Sequence, residues 1–188
     1  RQCLETAAHQ GVSAARLALG KALAARRGNL QAQLAGGRWL VLALAAGESE
    51  AAALLANLAD SAPPLPELAR DGLSALTEAA EEHPVLAARL LVAAHFGLDV
   101  REALFFDPHL ADQGWCLLAD VGRYFGCRPQ RLVLVENDAQ RGVLARLRQV
   151  FADETLAATD ISGVQRTRMR RTDALMRRWR LDGSLFMR

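Results

Sequence analysis

Apolar residues recur through the first half of the chain at intervals of 36 positions, in three stretches that cover residues 4–27, 40–63 and 76–99. A repeat of this length, made of apolar helical segments, is typical of helix–turn–helix arrays. In such an array no unit buries its own apolar face, so each unit packs on its neighbour. Three series of positions follow this period: Leu4, Leu40 and Leu76; Ala15, Ala51 and Ala87; and Leu19, Leu55 and Leu91.

Glycine and serine positions predict where the helices of the first two units end and begin. Gly11 and Gly47 are one period apart, as expected of residues that end a helix in the left-handed conformation. Ser13 and Ser49 follow them and are predicted to cap the next helices. The first predicted helix ends near residue 9. The next three cover residues 13–27, 31–46 and 49–60.

A motif surrounds the first of these turns. Ala7-Ala8-His9-Gln10-Gly11 is followed by Ala15 and then by Leu19-Gly20. This order resembles the Sel-one-like repeat, a relative of the tetratricopeptide repeat, in which two alanines precede a glycine and an alanine and then Leu-Gly follow it. Trp39 lies near the aromatic position that the family has in the preceding helix.

The later copies match the motif in part. In the second copy the alanine pair before Gly47 is shifted and Ala56 replaces the second glycine. The third copy keeps Ala79 and Ala80 but has His83-Pro84 where a glycine is expected. The resemblance covers about residues 4–98. Alanines at these positions would allow paired helices to approach closely, while leucines fill the layer between units.

The resemblance implies a non-catalytic scaffold or adaptor whose concave face holds a peptide or a domain of another protein. It also implies that the helices are stacked before the partner arrives, which lowers the ordering cost of binding. Assistance to a bacterial secretion or envelope assembly is an expectation from the family alone. No enzyme activity and no cofactor are expected.

A proline-rich stretch interrupts the periodic region at residues 61–66. Three prolines among four residues cannot continue a helix and favour a stiff, extended connection. We interpret it as a turn between helices of the array, because the 36-residue register continues beyond it. A domain boundary at this stretch is the alternative.

The 36-residue register is lost after Gly97, and the remaining chain reads as mostly helical. Asp99 is predicted to cap a short helix that reaches Phe106. The run Arg131-Leu-Val-Leu-Val-Glu136 is the only β-like segment, and it needs a partner strand that the sequence does not reveal. The further predicted helices cover residues 109–125, 138–152 and 160–181.

The sequence therefore predicts an all-α protein. A helix–turn–helix repeat solenoid of about three units is expected over residues 1–98. A smaller, mostly helical region is expected over 99–188, with at most one short strand pair. The composition, 51% hydrophobic and 23% charged residues, is that of an ordinary folded protein.

Charge is distributed unevenly although the net charge is only +2. Residues 1–140 have a balance of −4, whereas 141–188 carry 11 arginines and 5 acidic residues, a balance of +6. In the final predicted helix, Met169, Met176 and Trp179 lie opposite a broad basic side. The candidate partner-binding residues of this basic helix are Arg166, Arg170, Arg171, Arg177, Arg178 and Trp179.

The basic helix has several interpretations. Its arginines would suit phosphate groups, an acidic protein surface or an anionic membrane face. Alternatively, the helix docks by its apolar stripe and its arginines only improve solubility. A nucleic-acid-associated regulator is the alternative function. It is disfavoured by the acidic excess elsewhere and by the lack of aromatic residues among the arginines.

A polar cluster at Asp107, His109 and Asp112, with Cys116 nearby, contains residue types that bind metals or act as acid and base. Their spacing matches no zinc motif, and both aspartates are well placed as helix caps. Capping of backbone amides is the favoured interpretation. Metal binding or catalysis is the alternative, and no metal is expected.

Cysteine usage and hydropathy bear on location. Cys3, Cys116 and Cys127 form no C-x-x-C pair, so a reducing, cytoplasmic compartment is the simpler expectation. A bridge between Cys116 and Cys127 is the alternative in an oxidising compartment. The longest apolar run, Trp39–Ala46, is too short to cross a bilayer.

Overall fold

The computed structural model describes residues 2–63, 69–105, 107–121, 130–152 and 161–179. Within this part the chain is mostly helical and has one small antiparallel sheet of two strands, consistent with the expected all-α class. In chain order the described elements are α1 (Gln2–His9), α2 (Ser13–Ala24), α3 (Leu30–Ala45), α4 (Glu50–Leu58), α5 (Ala69–Glu82), α6 (Pro84–Phe96), α7 (Val100–Phe105), α8 (Pro108–Ala111), β1 (Cys116–Ala119), β2 (Arg131–Leu134), α9 (Asp138–Val150) and α10 (Ile161–Arg178).

The chain forms two compact units. Unit 1 consists of Arg1–Ser61 and Gln113–Cys116, and unit 2 consists of Ala62–Asp112 and Leu117–Arg188. The first division falls beside the proline-rich stretch, where a domain boundary was the alternative interpretation. The division into compact units does not test which residues belong to the repeat array. The predicted organisation into residues 1–98 and 99–188 therefore stays a prediction.

In unit 1, α1 and α3 end with the same backbone motif. Gly11 and Gly47 have φ angles of 98° and 96°. After each glycine, the next residue donates its N–H to the carbonyl five residues earlier, at 3.1 and 3.0 Å. This arrangement satisfies carbonyls that have no partner within the helix. The predicted left-handed helix ends at these two glycines are confirmed.

The predicted serine caps are wrong. Val12 is the residue that precedes α2, and Ser13 lies inside the helix with its hydroxyl donating to Glu48 Oε1 at 2.7 Å. Ser49 stands at the start of α4, but its side chain makes no capping hydrogen bond. The Ser13 hydroxyl thus joins the start of α2 to the turn that follows α3.

Small residues allow α2 and α3 to pack closely in unit 1. Gly20 and Gly36 face each other across the helix pair, and a Cβ at Gly36 would lie 2.7 Å from the backbone nitrogen of Ala24. On the other side of α2, its buried residues pack against α1, with Trp39 of α3 at the edge of the cluster. All members of the Ala15 and Leu19 series are buried, together with Leu40 and Leu76.

The segment Gln113–Cys116 belongs to unit 1 although it is distant from α3 in sequence. Trp115 is buried, and its indole Nε1 donates to the carbonyl of Leu34 at 3.2 Å. The indole lies directly against Gly37, where a methyl group would overlap the six-membered ring. Gly37 is therefore needed as the floor of a slot for Trp115.

The helix predicted over residues 109–125 is wrong. α8 ends at Ala111, Gly114 has a φ of 84°, and the chain then forms strand β1. Residues 115–119 are all buried, and an apolar run without alternation does not distinguish a buried strand from a helix. β1 is the partner that the predicted strand at 131–136 needed. Residues 122–129 lie outside the described part of the chain.

In unit 2 the main core surrounds α6, which is apolar on nearly all sides and packs against α5 and α9. Leu117, Ala119 and Val133 of the two strands join the same core. The predicted helices at 138–152 and 160–181 are confirmed as α9 and α10, although residues after 179 lie outside the described part. Asn137 and Gln140 form a capping box at the start of α9.

The start of α7 is fixed by a polar network. As predicted, Asp99 caps the helix: its Oδ1 accepts from the N–H of Glu102 at 2.8 Å, and the Glu102 carboxylate accepts in return from the N–H of Asp99 at 2.9 Å. Arg131 of β2 pairs with both oxygens of Glu102, at 2.6 and 3.0 Å, and also donates to the carbonyl of Gly97. These contacts attach α7 to the sheet.

We predict that Gly37→Ala destabilises unit 1 by about 1–3 kcal/mol, because the added methyl group forces the Trp115 indole off its site. Gly142→Ala in α9 is the matched control. Nothing lies within 4 Å of a Cβ at this helical, exposed position, so alanine should stabilise the helix by about 0.5–1 kcal/mol. Urea unfolding followed by Trp fluorescence measures the stability of both variants. Equal effects of the two substitutions would contradict the close packing of Trp115 on Gly37.

Candidate functional site

The predicted polar cluster is used for local structure. The Oδ1 atom of Asp107 accepts from the N–H of His109 at 2.9 Å and so caps α8. Asp112 stands at the end of α8, where its Oδ2 pairs with Arg148 at 2.9 Å. Among the described residues, no three histidine, cysteine or acidic side chains come together as a metal site would require. The catalytic or metal-binding alternative for this cluster stays a prediction.

The basic helix α10 has two different sides. Thr172, Leu175 and Met176 are buried, and Met169 packs against Leu104 and Val121. The exposed arginines of the opposite side are Arg166, Arg170 and Arg177. Trp179 is half-buried and packs against the main core of unit 2, and its role in partner binding stays a prediction.

Between these two sides, one edge of α10 lines a cavity of about 680 Å³ in unit 2. The other walls are the end of α5, the first two turns of α6 and the end of α7. Four of the lining residues are arginines, and Glu82 is the one carboxylate among the described residues that line it. The lining residues are Glu82, His83, Pro84, Val85, Leu86, Arg89, Leu104, Arg168, Arg171, Ala174, Leu175 and Arg178.

Two of these arginines are held at the end of α7. Arg89 of α6 is 2% exposed, donates from Nη1 to the carbonyl of Ala103 at 3.2 Å and lies 4.8 Å from the centre of the Phe151 ring. Arg168 of α10 donates from Nη1 to the carbonyl of Leu104 at 2.6 Å. The last carbonyls of a helix have no partner within it, so these guanidinium groups cap α7 and are themselves fixed in place.

The other two arginines lie at the rim of the cavity. Arg178 pairs with Glu82 through Nη2 and Oε1 at 2.8 Å, and both side chains are about half exposed. Arg171 is exposed and makes no ion pair with any residue in the part of the chain that the structure describes. It lies one turn from Arg168 and two turns from Arg178, so all three point to the same edge of α10.

The backbone adds to the positive potential of the cavity. Pro84, Val85 and Leu86 form the first turn of α6, and His83 precedes them without capping the helix through its side chain. The N-terminal end of a helix carries partial positive charge. His95 lies at the far end of α6, where burial lowers its pKa, so it adds no charge at neutral pH.

This arrangement suits the binding of an anion. Guanidinium groups present several fixed donors, cannot be deprotonated and match carboxylate or phosphate oxygens. The inner pair is held by the protein itself, whereas both side chains of the rim pair are exposed. Leu86, Leu104 and Leu175 add apolar wall next to these charges.

The sequence prediction identified part of this site. Arg171 and Arg178 were among the candidates and line the cavity, whereas Arg166, Arg170 and Arg177 lie outside it. The partner-binding role assigned to all five of these arginines stays a prediction. Arg89 and Arg168 were missed as site residues. One signal was available: Arg89 is the only arginine in the apolar helix of residues 84–96, and a single charge inside such a helix needs a partner.

Comparisons with protein-family models, curated proteins and solved structures find no match to this chain. Within the described residues, every helix is either too short or too polar to cross a membrane. The arginine-lined cavity is therefore the feature of this chain that bears on function.

We predict that Arg168→Met destabilises unit 2 by about 1.5–3 kcal/mol, because it removes a charge-assisted hydrogen bond and leaves the Leu104 carbonyl without this donor. Arg166→Met makes the same change at an exposed position of the same helix and should cost less than about 0.5 kcal/mol. Urea unfolding followed by circular dichroism separates the two. Equal stability of both variants would show that Arg168 does not cap α7.

Proposed function

We propose that this chain is a non-catalytic protein-binding module that takes an acidic segment of a partner protein into the arginine-lined cavity of unit 2. The observation that carries the proposal is the charge of that cavity, where four arginines and one glutamate surround about 680 Å³. Charges of one sign that line a recess attract and orient a ligand of the other sign.

The positions of the arginines suggest how such a segment would bind. Arg89 and Arg168 are held by carbonyls before any ligand arrives, so little side-chain entropy is lost at these positions on binding. Arg171 is exposed and accounts for long-range attraction, which salt would weaken. The apolar wall would accept the aliphatic part of the segment.

The adaptor role that the repeat resemblance implies belongs to the same proposal. In it, the helix pairs α1–α2, α3–α4 and α5–α6 are three Sel-one-like repeats. Support comes from the burial of the Ala15 and Leu19 series and from the matching helix ends at Gly11 and Gly47. A cytoplasmic location, expected from the cysteine pattern, completes the proposal.

We predict that Arg171→Glu weakens binding of a fluorescein-labelled peptide with four glutamates among leucines and alanines by at least about tenfold, because like charges placed together cost several kcal/mol. The matched control, Arg177→Glu, makes the same charge change on the same exposed helix surface but outside the cavity, and should change the affinity less than about threefold. Fluorescence anisotropy of the labelled peptide, titrated with the full chain, measures the affinity of both variants.

The nucleic-acid-associated regulator stays the second candidate, because Arg166, Arg170 and Arg177 form an exposed basic side of α10. That function predicts a different result from the same two variants. Arg177→Glu would then weaken binding to a 20-base-pair duplex at least as much as Arg171→Glu, with a strong dependence on salt. This pattern, without peptide binding, would contradict the acidic-segment proposal.

A further inference from the structure

We infer that the anion selected by this cavity is a phosphate monoester, such as a phosphorylated serine or threonine of the partner. This inference rests on the proposed function, in that the cavity must bind an anion, and adds which anion it prefers. The deciding features are the number of guanidinium groups, the helices that supply them and the carboxylate already present at the rim.

The charge of the cavity favours a phosphate. Glu82 is the one carboxylate among the described lining residues and already pairs with Arg178. Arg89, Arg168 and Arg171 add three more positive charges to the walls. A carboxylate ligand brings one negative charge, whereas a phosphate monoester brings about 1.5–2 at pH 7. The phosphate therefore compensates more of the charge that the cavity concentrates.

The placement of the guanidinium groups also fits the shape of a phosphate. One planar guanidinium is enough to meet both oxygens of a planar carboxylate side by side. Here the guanidinium groups that line the recess come from two helices, with Arg89 on α6 and Arg168 and Arg171 on α10. A phosphoryl group presents three terminal oxygens in a tetrahedral arrangement and accepts hydrogen bonds from several directions. Donors on different walls of one recess fit that arrangement better.

Glu82 competes with a bound anion for Arg178. Its carboxylate occupies Arg178 at 2.8 Å and so stands as a competitor for any anion that needs this guanidinium. A second carboxylate offers Arg178 nothing that Glu82 does not already provide. A phosphate dianion attracts it more strongly, since Coulomb attraction grows with the charge. Glu82 thereby discriminates against carboxylate ligands.

The experiment compares three nine-residue peptides that are identical except at the central position, which is phosphoserine, glutamate or serine. Isothermal titration calorimetry with the full chain at pH 7.5 should give about tenfold tighter binding for phosphoserine than for glutamate. The serine peptide should not bind. Equal affinity of the phosphoserine and glutamate peptides overturns the inference and leaves the proposed function standing, whereas the absence of any binding overturns both.

Glu82→Gln provides a gain-of-function test. Removing the competing charge should tighten binding of the phosphoserine peptide at least about threefold. Glu81→Gln is the matched control, because Glu81 is also exposed on α5 but does not line the cavity. Weaker binding by the Glu82→Gln variant, or the same change in both variants, overturns the role assigned to Glu82.

Two further measurements identify the bound group. Lowering the pH from 7.5 to 5.5 protonates a phosphate, whose second pKa is about 6, but leaves a glutamate with a pKa of about 4.3 ionised. The phosphoserine peptide should lose its advantage over the glutamate peptide. His83 and Glu82 also line the cavity, so the quantity compared is the ratio of the two affinities and not either affinity alone. A constant ratio overturns the inference.

The source of the phosphate is tested with free O-phosphoserine. Binding at least about tenfold weaker than that of the phosphopeptide supports a phosphorylated protein, because apolar contacts beyond the phosphate then contribute. Equal binding supports a small phosphate ester and overturns the protein partner. Arg171→Lys keeps the charge but loses the paired donors, and at this exposed position it should leave unfolding unchanged while weakening phosphopeptide binding. Unchanged binding overturns the role of the guanidinium.

Discussion

The carbonyl groups at the end of α7 impose the constraint on which the candidate site depends. α7 has only six residues, and its last ones are buried, so water does not reach the carbonyls that the helix leaves without partners. Arg89 and Arg168 reach them from two other helices. One requirement of backbone hydrogen bonding thus joins α6, α7 and α10 and also places two fixed positive charges in the wall of a cavity.

Local chemistry explains which features of the fold were predictable from the sequence. Gly11, Gly47 and Asp99 act through neighbouring backbone atoms, and the residues needed to foresee their roles lie within a few positions. β1 was not predictable, because residues 115–119 are apolar on both faces and show no period. The contact of Ser13 with Glu48 was not predictable either, because the two residues are 35 positions apart.

The candidate site depends still more on tertiary packing. The sequence reveals an arginine-rich terminal helix, but it does not show which arginines face inward. The rotation of α10 decides this: with Leu175 and Met176 buried, Arg171 and Arg178 lie at the cavity and Arg177 points to solvent. Arg89 comes from a different segment, so no pattern within residues 141–188 could have associated it with them. Although Arg177 and Arg178 are adjacent in sequence, they therefore have different surroundings.

The slot at Gly37 has a consequence for dividing the protein. Trp115, which fills it, is encoded more than fifty residues after the last helix of unit 1. A fragment cut at Ser61 would leave the face of α3 around Leu34 and Gly37 open to water and would lack an aromatic side chain that completes its core. We therefore expect residues 1–61, expressed alone, to aggregate through this exposed apolar face unless residues 113–116 are added to the fragment.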